Sequence, residues 1–375
     1  MLRALHNIFR LGIKELFSLA RDPVLVVLIL YTFTVAVAVV SKGVQTEVRN
    51  AAIAIVDEDR SSVSARLRGA FLPPYFQPPQ LIGYEEMDRL LDSGRVSFVL
   101  VIPEGFERDL LTDRAPVLQL NVDATAMTLA GNGTAYVQRI VQEEIARFLS
   151  RAEATTDYPA SIVPRARFNP NLHSVWFLAV NQVINNVSIL AVVLSGAAVI
   201  REREHGTIEH LLVMPVTSLE IMLSKVWANG LVIVFAAVAS LFAVVQGALG
   251  VPVPGSLAVF ALGAAVYLFA ATSLGIMLST IATTMPQFGL LAIPVFMILF
   301  LLSGGITPLE AMPDGLRLAM QASPASHFTA FSQAVLYRGA GLSLVWPQLL
   351  AMAGIGAAFF AFALMRFRAT MAAVR

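Results

Sequence analysis

Apolar runs divide the chain into one amphipathic stretch, six segments long enough to cross a bilayer, and a polar insertion after the first of them. Met1 to Arg21 places Leu2, Leu5, Ile8, Phe9, Ile13, Leu16 and Phe17 along one helical face, with Arg3, Arg10, Lys14 and Arg21 elsewhere. That pattern belongs to a helix lying in the membrane interface rather than crossing it. Pro23 breaks it, and Val24 to Val40 then supplies 17 apolar or hydroxyl residues, the lower limit for a span. Further spans are expected at Trp176 to Ile200, Val226 to Leu249, Leu257 to Ile281, Gln287 to Ser303 and Leu344 to Met365. The turns Gly250 to Ser256 and Ala282 to Pro286 are minimal, so the helices they join are antiparallel neighbours. Pro294 lies inside the fifth span and is expected to kink it.

Two regions break this rhythm. Between spans five and six, Gly304-Gly305, Pro308, Pro313 and Pro324 leave only two short amphipathic pieces, about Pro313 to Ala322 and Ser326 to Tyr337. Each is too short to span and reads as a helix dipping back into the bilayer, with Glu310, Asp314, Arg317, His327 and Arg338 at a wet rim. Residues 41–172 form the one stretch with soluble-domain patterning. Strands are expected at Ala51 to Val56, Gln80 to Tyr84, Val96 to Ile102 and Val117 to Val122, and helices at Ser61 to Ala70, Glu85 to Asp92, Glu104 to Thr112 and Thr128 to Arg151. This alternation predicts a small α/β domain with its own core. Asp57, Glu58 and Asp59 fall where a strand ends and a helix begins, which favours a capping role over a catalytic or metal site. Pro73-Pro74 and Pro78-Pro79 bracket Tyr75 and Phe76 in what reads as a stiff, exposed aromatic loop, a contact surface for a second protein or for substrate.

Composition fixes the class. The chain is 57% hydrophobic and 14% charged, with a mean hydropathy of +0.72, whereas soluble domains are about 25% charged. It reads as an α-helical polytopic membrane protein. Net charge is +1, with no basic cluster to suggest a nucleic-acid partner. Cysteine is absent, which removes disulfides, thiol catalysis and cysteine metal sites. The first apolar run is followed by no small-residue cleavage pattern, so no cleavable signal is expected. Six spans put both termini on one side, and the excess of Lys and Arg in the short segments there makes that side the cytoplasm. The polar insertion then lies outside.

Candidate functional residues fall in three groups. Arg201 to Lys225 opens with Arg201, Glu202, Arg203, Glu204, His205, Glu209 and His210, a charge density that must sit in water at a membrane face. From Thr207 the pattern turns helical, with Thr207 as cap, Glu209 in the first turn and Pro215 as stop, and a second short helix, Leu219 to Lys225, leads into the next span. Such a helix, exposing Leu211, Leu212 and Met214, suits docking into a partner's cleft as well as it suits an ordinary solvated loop. In the second span, Asn181, Gln182, Asn185 and Asn186 share a face about 140° wide. Amides in hydrocarbon need partners, so this face looks into protein or water; helix packing is favoured over a substrate path, and the two are compatible.

Chemical motifs are missing. None of the three lysines, Lys14, Lys42 and Lys225, follows a glycine, so the chain holds no GxxxxGK[ST] phosphate loop. His205 and His210 are five apart rather than the four of HExxH, and no GxSxG elbow exists. The interiors of the expected spans hold no Asp, Glu, Lys or Arg, which argues against an ion-coupled carrier. A transporter of this kind needs a borrowed energy source.

These residues carry a resemblance. REREHGTIEHLLVMP at 201–215 resembles the ERExGTxExLLxxP coupling segment of the ABC-2 type permeases, the membrane subunits of ATP-binding-cassette exporters. SGGITPLEAMP at 303–313 resembles the motif that opens their re-entrant hairpin. AIAIVDEDRSSVSARL at 52–67, LNVDATAMT at 120–128, RFNPNLHSVWF at 167–177 and HFTAFSQAVLYRGAG at 327–341 extend the similarity from end to end. The resemblance implies an ABC-2 exporter fold: an interfacial helix over residues 1–23, a first span over 24–40, an extracytoplasmic α/β domain over 41–172, and five spans over 173–375 with a coupling helix at 201–225 and a re-entrant hairpin at 304–343.

It further implies a bacterial inner-membrane transport subunit, not an enzyme, with no cofactor of its own and ATP bound by a cytoplasmic ATPase subunit. Arg201, Glu202, Arg203, Glu204, His205, Gly206, Thr207, Glu209, Leu212 and Pro215 would couple to that ATPase, and nucleotide-driven closure would tilt spans two and five. Asn181, Gln182, Asn185, Asn186 and Pro294 become candidates for the path, and Gly304, Gly305, Pro308, Glu310 and Pro313 form the re-entrant motif. The pore would be a homodimer or a heterodimer with a second permease. A periplasmic membrane-fusion adaptor and an outer-membrane duct are further expected partners, beside the lipid bilayer itself. An apolar wall with few charges suits a hydrophobic or amphipathic cargo. On residues alone, a secondary carrier and a membrane-anchored sensor or scaffold stay open.

Overall fold

The computed structural model describes residues 2–43, 48, 50–112, 114–123, 127–152, 173–204, 206 and 215–373. It divides into two compact units, Met1–Gly43 with Val175–Arg375, and Val44–Ser174. In chain order, α1 spans Leu2–Ala20, α2 Pro23–Phe33 and α3 Val35–Gly43. Then come β1 Ile53–Asp57, α4 Ser62–Ala70, β2 Gln80–Leu81, α5 Met87–Asp92, β3 Phe98–Ile102, α6 Phe106–Leu111, β4 Gln119–Val122 and α7 Met127–Ala152. The remainder is helical: α8 Ser174–Glu204, α9 Ser218–Ser240 continued by a π-helical stretch Leu241–Ala248, α10 Leu257–Ile281, α11 Met285–Leu302, α12 Asp314–Gln321, α13 Pro324–Arg338 and α14 Leu342–Ala373.

Six of these segments are long and apolar enough to cross a membrane: Pro23–Gly43, Ser174–Glu204, Ser218–Ala248, Leu257–Ile281, Met285–Leu302 and Leu342–Ala369. Their starts are fixed locally. Asp22 accepts hydrogen bonds from the Val24 and Leu25 N–H groups ahead of α2, with Pro23 in the first turn where its missing donor costs nothing. Thr217 and Glu220 form a reciprocal capping box at α9, and Ser256 and Thr284 cap α10 and α11. The third span therefore begins at Ser218, eight residues before the apolar run, and absorbs the short helix expected at Leu219 to Lys225. The capping box, rather than hydropathy, sets that boundary.

The second span is the axis of this unit. Nearly all of it is buried against its neighbours, whereas the fifth span is almost entirely uncovered. Its Val180, Val183, Ile184, Val187, Leu190 and Ala191 pack with residues of the first, third, fourth and sixth spans and of α13. The first span is interrupted at Thr34, between α2 and α3. Two carbonyls at that break find partners on other spans: Asn186 Nδ2 donates to Thr32 O at 2.7 Å, and Ser240 Oγ donates to Phe33 O at 2.5 Å. Side-chain donors from adjacent helices satisfy the backbone here, as a break inside hydrocarbon requires.

In the other unit the sheet order is β2-β1-β3-β4, with β1 parallel to β2 and β3, and β3 antiparallel to β4. The two central strands are buried on both faces, which is why they read as continuous apolar runs. Ile53, Ile55, Phe98, Leu100 and Ile102 face Val63 and Leu67 of α4 and Val137 and Val141 of α7. Ala54, Val56, Val99 and Val101 face Met87 of α5 and Val96. Phe76, expected in an exposed loop, is fully buried and meets Phe71 and Phe98 edge-on. Phe76 of the proline-bracketed segment is thus part of the core, while Leu72, Pro73, Pro74, Tyr75 and Pro78 are exposed.

At the end of β1, Asp57 and Asp59 bond the starts of α4 and α6, while Ser61 is the residue that caps α4. Asp57 accepts from Arg60 N and Ser64 Oγ and pairs with Arg68, and Asp59 accepts from Glu107 N at 3.1 Å. Glu107 completes the arrangement by accepting from Ser62 Oγ and Val63 N at the start of α4, both at 3.1 Å. The Val63 N–H, aided by the hydroxyls of Ser62 and Ser61, holds the Glu107 carboxyl below the usual carboxylate range.

Candidate functional site

The charged segment after the second span begins as a continuation of that span. α8 runs without interruption through Glu204, so Arg201, Glu202, Arg203 and Glu204 stand on the same rigid rod as the amide face. Gly206, at φ +67°, leaves the rod in the left-handed conformation that glycine tolerates best. Pro215 is exposed ahead of the Thr217 cap. His205, Thr207, Glu209 and Leu212 lie outside the described residues.

Each of the four charged residues on the rod has a partner within the chain. Glu202 Oε2 lies 2.8 Å from Lys225 Nζ, and Glu202 Oε1 lies 3.4 Å from Lys14 Nζ. Lys225 Nζ also lies 2.9 Å from Glu15 Oε1. Arg201 pairs with Asp22, the residue that caps α2. Arg203 Nη1 donates to Ala282 O at 2.7 Å, and Glu204 Oε1 accepts from Met285 N at 2.9 Å. The rod is thereby tied to the interfacial helix, to the start of the first span, to the third span, and to the turn that opens the fifth.

Lys225 is the centre of this arrangement and is only 1% exposed. The sequence reading placed it at the end of a short helix leading into the third span, outside the span interiors; it is instead a buried residue of that span's own helix. Seven residues from Ser218, at 1.5 Å per residue, put it about 10 Å into that helix. Two carboxylates within 3 Å offset the cost of burying its ammonium. Glu15 and Glu202 hold it at the charged end of the unit, so it does not supply the mid-membrane titratable group a carrier needs. Beside it, Gly12 lets α1 approach α9: a Cβ there would meet the Trp227 indole at 2.1 Å. Trp227 also stacks on Phe9 and donates to Ile8 O at 3.1 Å. Sequence reasoning missed Glu15, Asp22, Lys225 and Trp227. Their one local signal was a lysine, followed by a tryptophan, at the edge of an apolar run.

The amide face is split in use. Gln182 Nε2 donates to Asn186 Oδ1 at 2.9 Å, and Asn186 passes on to the broken first span. Asn181 and Asn185 are buried, and Asn181 Oδ1 has no hydrogen-bond partner among the described residues. That oxygen faces the re-entrant motif: a Cβ at Gly305 would come within 2.7 Å of it. Gly304 precedes it at φ +92°. The turn thus needs one glycine for its backbone and the other for close approach to α8. Pro308 and Glu310 continue the turn, Pro313 stands ahead of α12, and Pro294 lies inside α11. A cavity of about 340 Å³ opens between this turn and α13. Among the described residues no group of acidic or histidine side chains could hold a metal ion.

A buried axis continued as a charged rod, with α1 clamped to its base and a broken hairpin near its other end, is the frame of a polytopic helical membrane protein. The chain belongs to the ABC-2 family: residues 23–365 match the family described as ABC-2 family transporter protein. It is 49% identical over 370 residues to the inner membrane transport permease YhhJ of Escherichia coli (strain K12), covering 99% of each chain. It is also 30% identical over 363 residues to the probable multidrug ABC transporter permease YbhR of the same organism, covering 95% of this chain and 98% of the other. The probable multidrug permease YbhS is 25% identical over 348 residues, 88% of each chain.

Proposed function

We propose that this chain is the membrane subunit of an ATP-driven exporter, coupled through residues 201–215 to a separate cytoplasmic ATPase, moving a hydrophobic or amphipathic compound outward. Family membership gives the transport class. The observation that carries the coupling is mechanical. The charged segment is continuous with the second span, and its Arg203 and Glu204 bond the turn and first residue of the fifth. Force applied at residues 205–215 is therefore delivered to both helices together. The sequence given holds no phosphate loop, which supports placing the ATPase on another chain. The names of the YbhR and YbhS relatives are consistent with a drug-like cargo.

In this reading both termini and the ion-pair cluster are cytoplasmic, and the α/β unit, residues 41–172, is extracytoplasmic. The uncovered faces of the first, fifth and sixth spans meet lipid or a second permease. Leu72 and Tyr75, with the exposed Pro73, Pro74 and Pro78, are the surface offered to a membrane-fusion adaptor, with an outer-membrane duct beyond it.

ATP hydrolysis by the partner, co-purified with this protein in lipid, tests the scheme. Glu209→Ala is expected to release the ATPase. Glu204→Ala is expected to leave it bound but to abolish the link between cargo and hydrolysis, because the bond to Met285 N is lost. Wild-type coupling in both variants would reject the scheme. Photocrosslinkers at Leu72 and Tyr75 test the adaptor surface without removing Phe76 from the core.

A further inference from the structure

The hairpin cavity has a chemistry that the export scheme does not use. Eighteen residues of α11, at 1.5 Å per residue, carry the chain about 27 Å from Met285, beside the ion-pair cluster, to Leu302, so the cavity opens at the other end of the spans. Ser303 and Ser326 line it, each 3% exposed, and their hydroxyl oxygens are buried without a hydrogen-bond partner among the described residues. Buried hydroxyls are almost always partnered, so two unpaired ones in a single lining mark capacity to bind a polar group. Glu310 and Arg338 also line the cavity; both are exposed, and neither bonds or pairs with another described residue. Ile306 and Leu309 supply apolar wall beside them.

We infer that this cavity binds the zwitterionic headgroup of a bilayer amphiphile, of the phosphoethanolamine kind. Arg338 takes the phosphate, for which a guanidinium fork is well matched. Glu310 takes the ammonium, and Ser303 and Ser326 bond the ester oxygens. An anionic headgroup would set Glu310 against it, a cationic one would set Arg338 against it, and an uncharged solute would use neither. A volume of about 340 Å³ lies at the low end for small-molecule sites, room for a headgroup while the chains stay in the bilayer. The inference needs no ATPase and stands apart from the export scheme.

The test uses the full chain in detergent with dihexanoyl phosphatidylethanolamine, dihexanoyl phosphatidylglycerol, dodecyltrimethylammonium and soluble O-phosphoethanolamine as probes. Melting midpoints and lipid retained in native mass spectra are read. Phosphatidylethanolamine is expected to raise the midpoint saturably and the other three to do so at least tenfold more weakly. Arg338→Gln should weaken its binding tenfold or more, Ser303→Ala severalfold, and Glu310→Gln should erase the preference over phosphatidylglycerol. Both charged residues are exposed, so the lipid-free midpoints of these variants should match the native one; Ser303→Ala provides a second, uncharged variant. Equal shifts with all amphiphiles, or unchanged retention in the Arg338→Gln/Glu310→Gln double variant, would overturn the site. Equal affinity for soluble O-phosphoethanolamine would overturn the bilayer as its source.

Discussion

The two ends of the membrane unit treat polar groups in opposite ways. At the charged end Lys225, Lys14, Glu15, Glu202, Arg201 and Asp22 are all paired, and the helix ends around them are capped. At the hairpin end Ser303, Ser326 and Asn181 each keep a buried oxygen without a partner among the described residues, and there too Arg338 and Glu310 stand unpaired. A saturated cluster resists deformation because loss of any member strands a charge. An unsaturated one holds binding capacity at some cost in stability. On the scheme proposed above, the difference separates a part suited to transmitting force from a part suited to receiving a ligand.

The largest expected effect comes from breaking the clamp at its centre. Lys225→Met leaves Glu15 and Glu202 facing each other in a largely buried site, and removing one member of such a cluster costs about 3–5 kcal/mol. Thermal unfolding in lipid discs should show a large fall in midpoint, and adding Glu15→Gln and Glu202→Gln to the same chain should recover most of it. A Lys225→Met midpoint within a degree of native would show that the ion pairs are idle. Next in size is Gly12→Leu, which drives a side chain into the Trp227 ring; overpacking of this kind costs about 1–3 kcal/mol. Trp227 emission should shift as the indole leaves Phe9 and Ile8 O, while Gly43→Leu, with open space around it, should change little.

What the sequence made legible was whatever repeats locally. Six spans, the amphipathic start and the two hairpin helices followed from runs of apolar residues and from the prolines and glycines that end them. Of the trio Asp57, Glu58 and Asp59, read as capping because a strand end and a helix start adjoin there, Asp57 bonds a hydroxyl of α4 and Asp59 the first turn of the distant α6, while the cap of α4 is Ser61. The clamp was not legible: Glu15 and Lys225 are 210 residues apart, and their contact depends on α1 folding back along α9. Phe76 was misread because flanking prolines suggest a surface loop, while its burial is decided by Phe71 and Phe98 closing over it. The Thr34 break leaves no proline or glycine at that position, and is tolerated through donors on α8 and α9.

A smaller effect is expected in the α/β unit, where Glu107 gives a titratable counterpart to the clamp. Its folded-state pKa is lowered, so its stabilising bonds to α4 are fully present above the ordinary carboxylate value and are lost as pH falls through the lowered one. Hydrogen exchange on the full chain should show the start of α4 opening first on acidification. Glu107→Gln should remove that pH dependence, and an unaltered profile would assign it to other carboxylates.

The smallest change falls at the unsaturated end, and its sign matters more than its size. Deleting a paired group costs stability because the partner is stranded, whereas Ser303 Oγ has no partner to strand. Replacing a buried, unpaired hydroxyl with hydrogen removes a desolvation penalty of about 1–3 kcal/mol in full burial, set against a little lost packing. Ser303→Ala should therefore leave the lipid-free melting midpoint unchanged or raise it slightly. Glu15→Gln, which removes one charge from the saturated end, should lower it. A fall with Ser303→Ala comparable to that with Glu15→Gln would mean that the hydroxyl is already bonded in the empty protein, and the contrast between the two ends would disappear. A flat or upward shift in lipid-free protein, paired with weaker headgroup retention, is the pattern of a group kept for binding at the expense of stability.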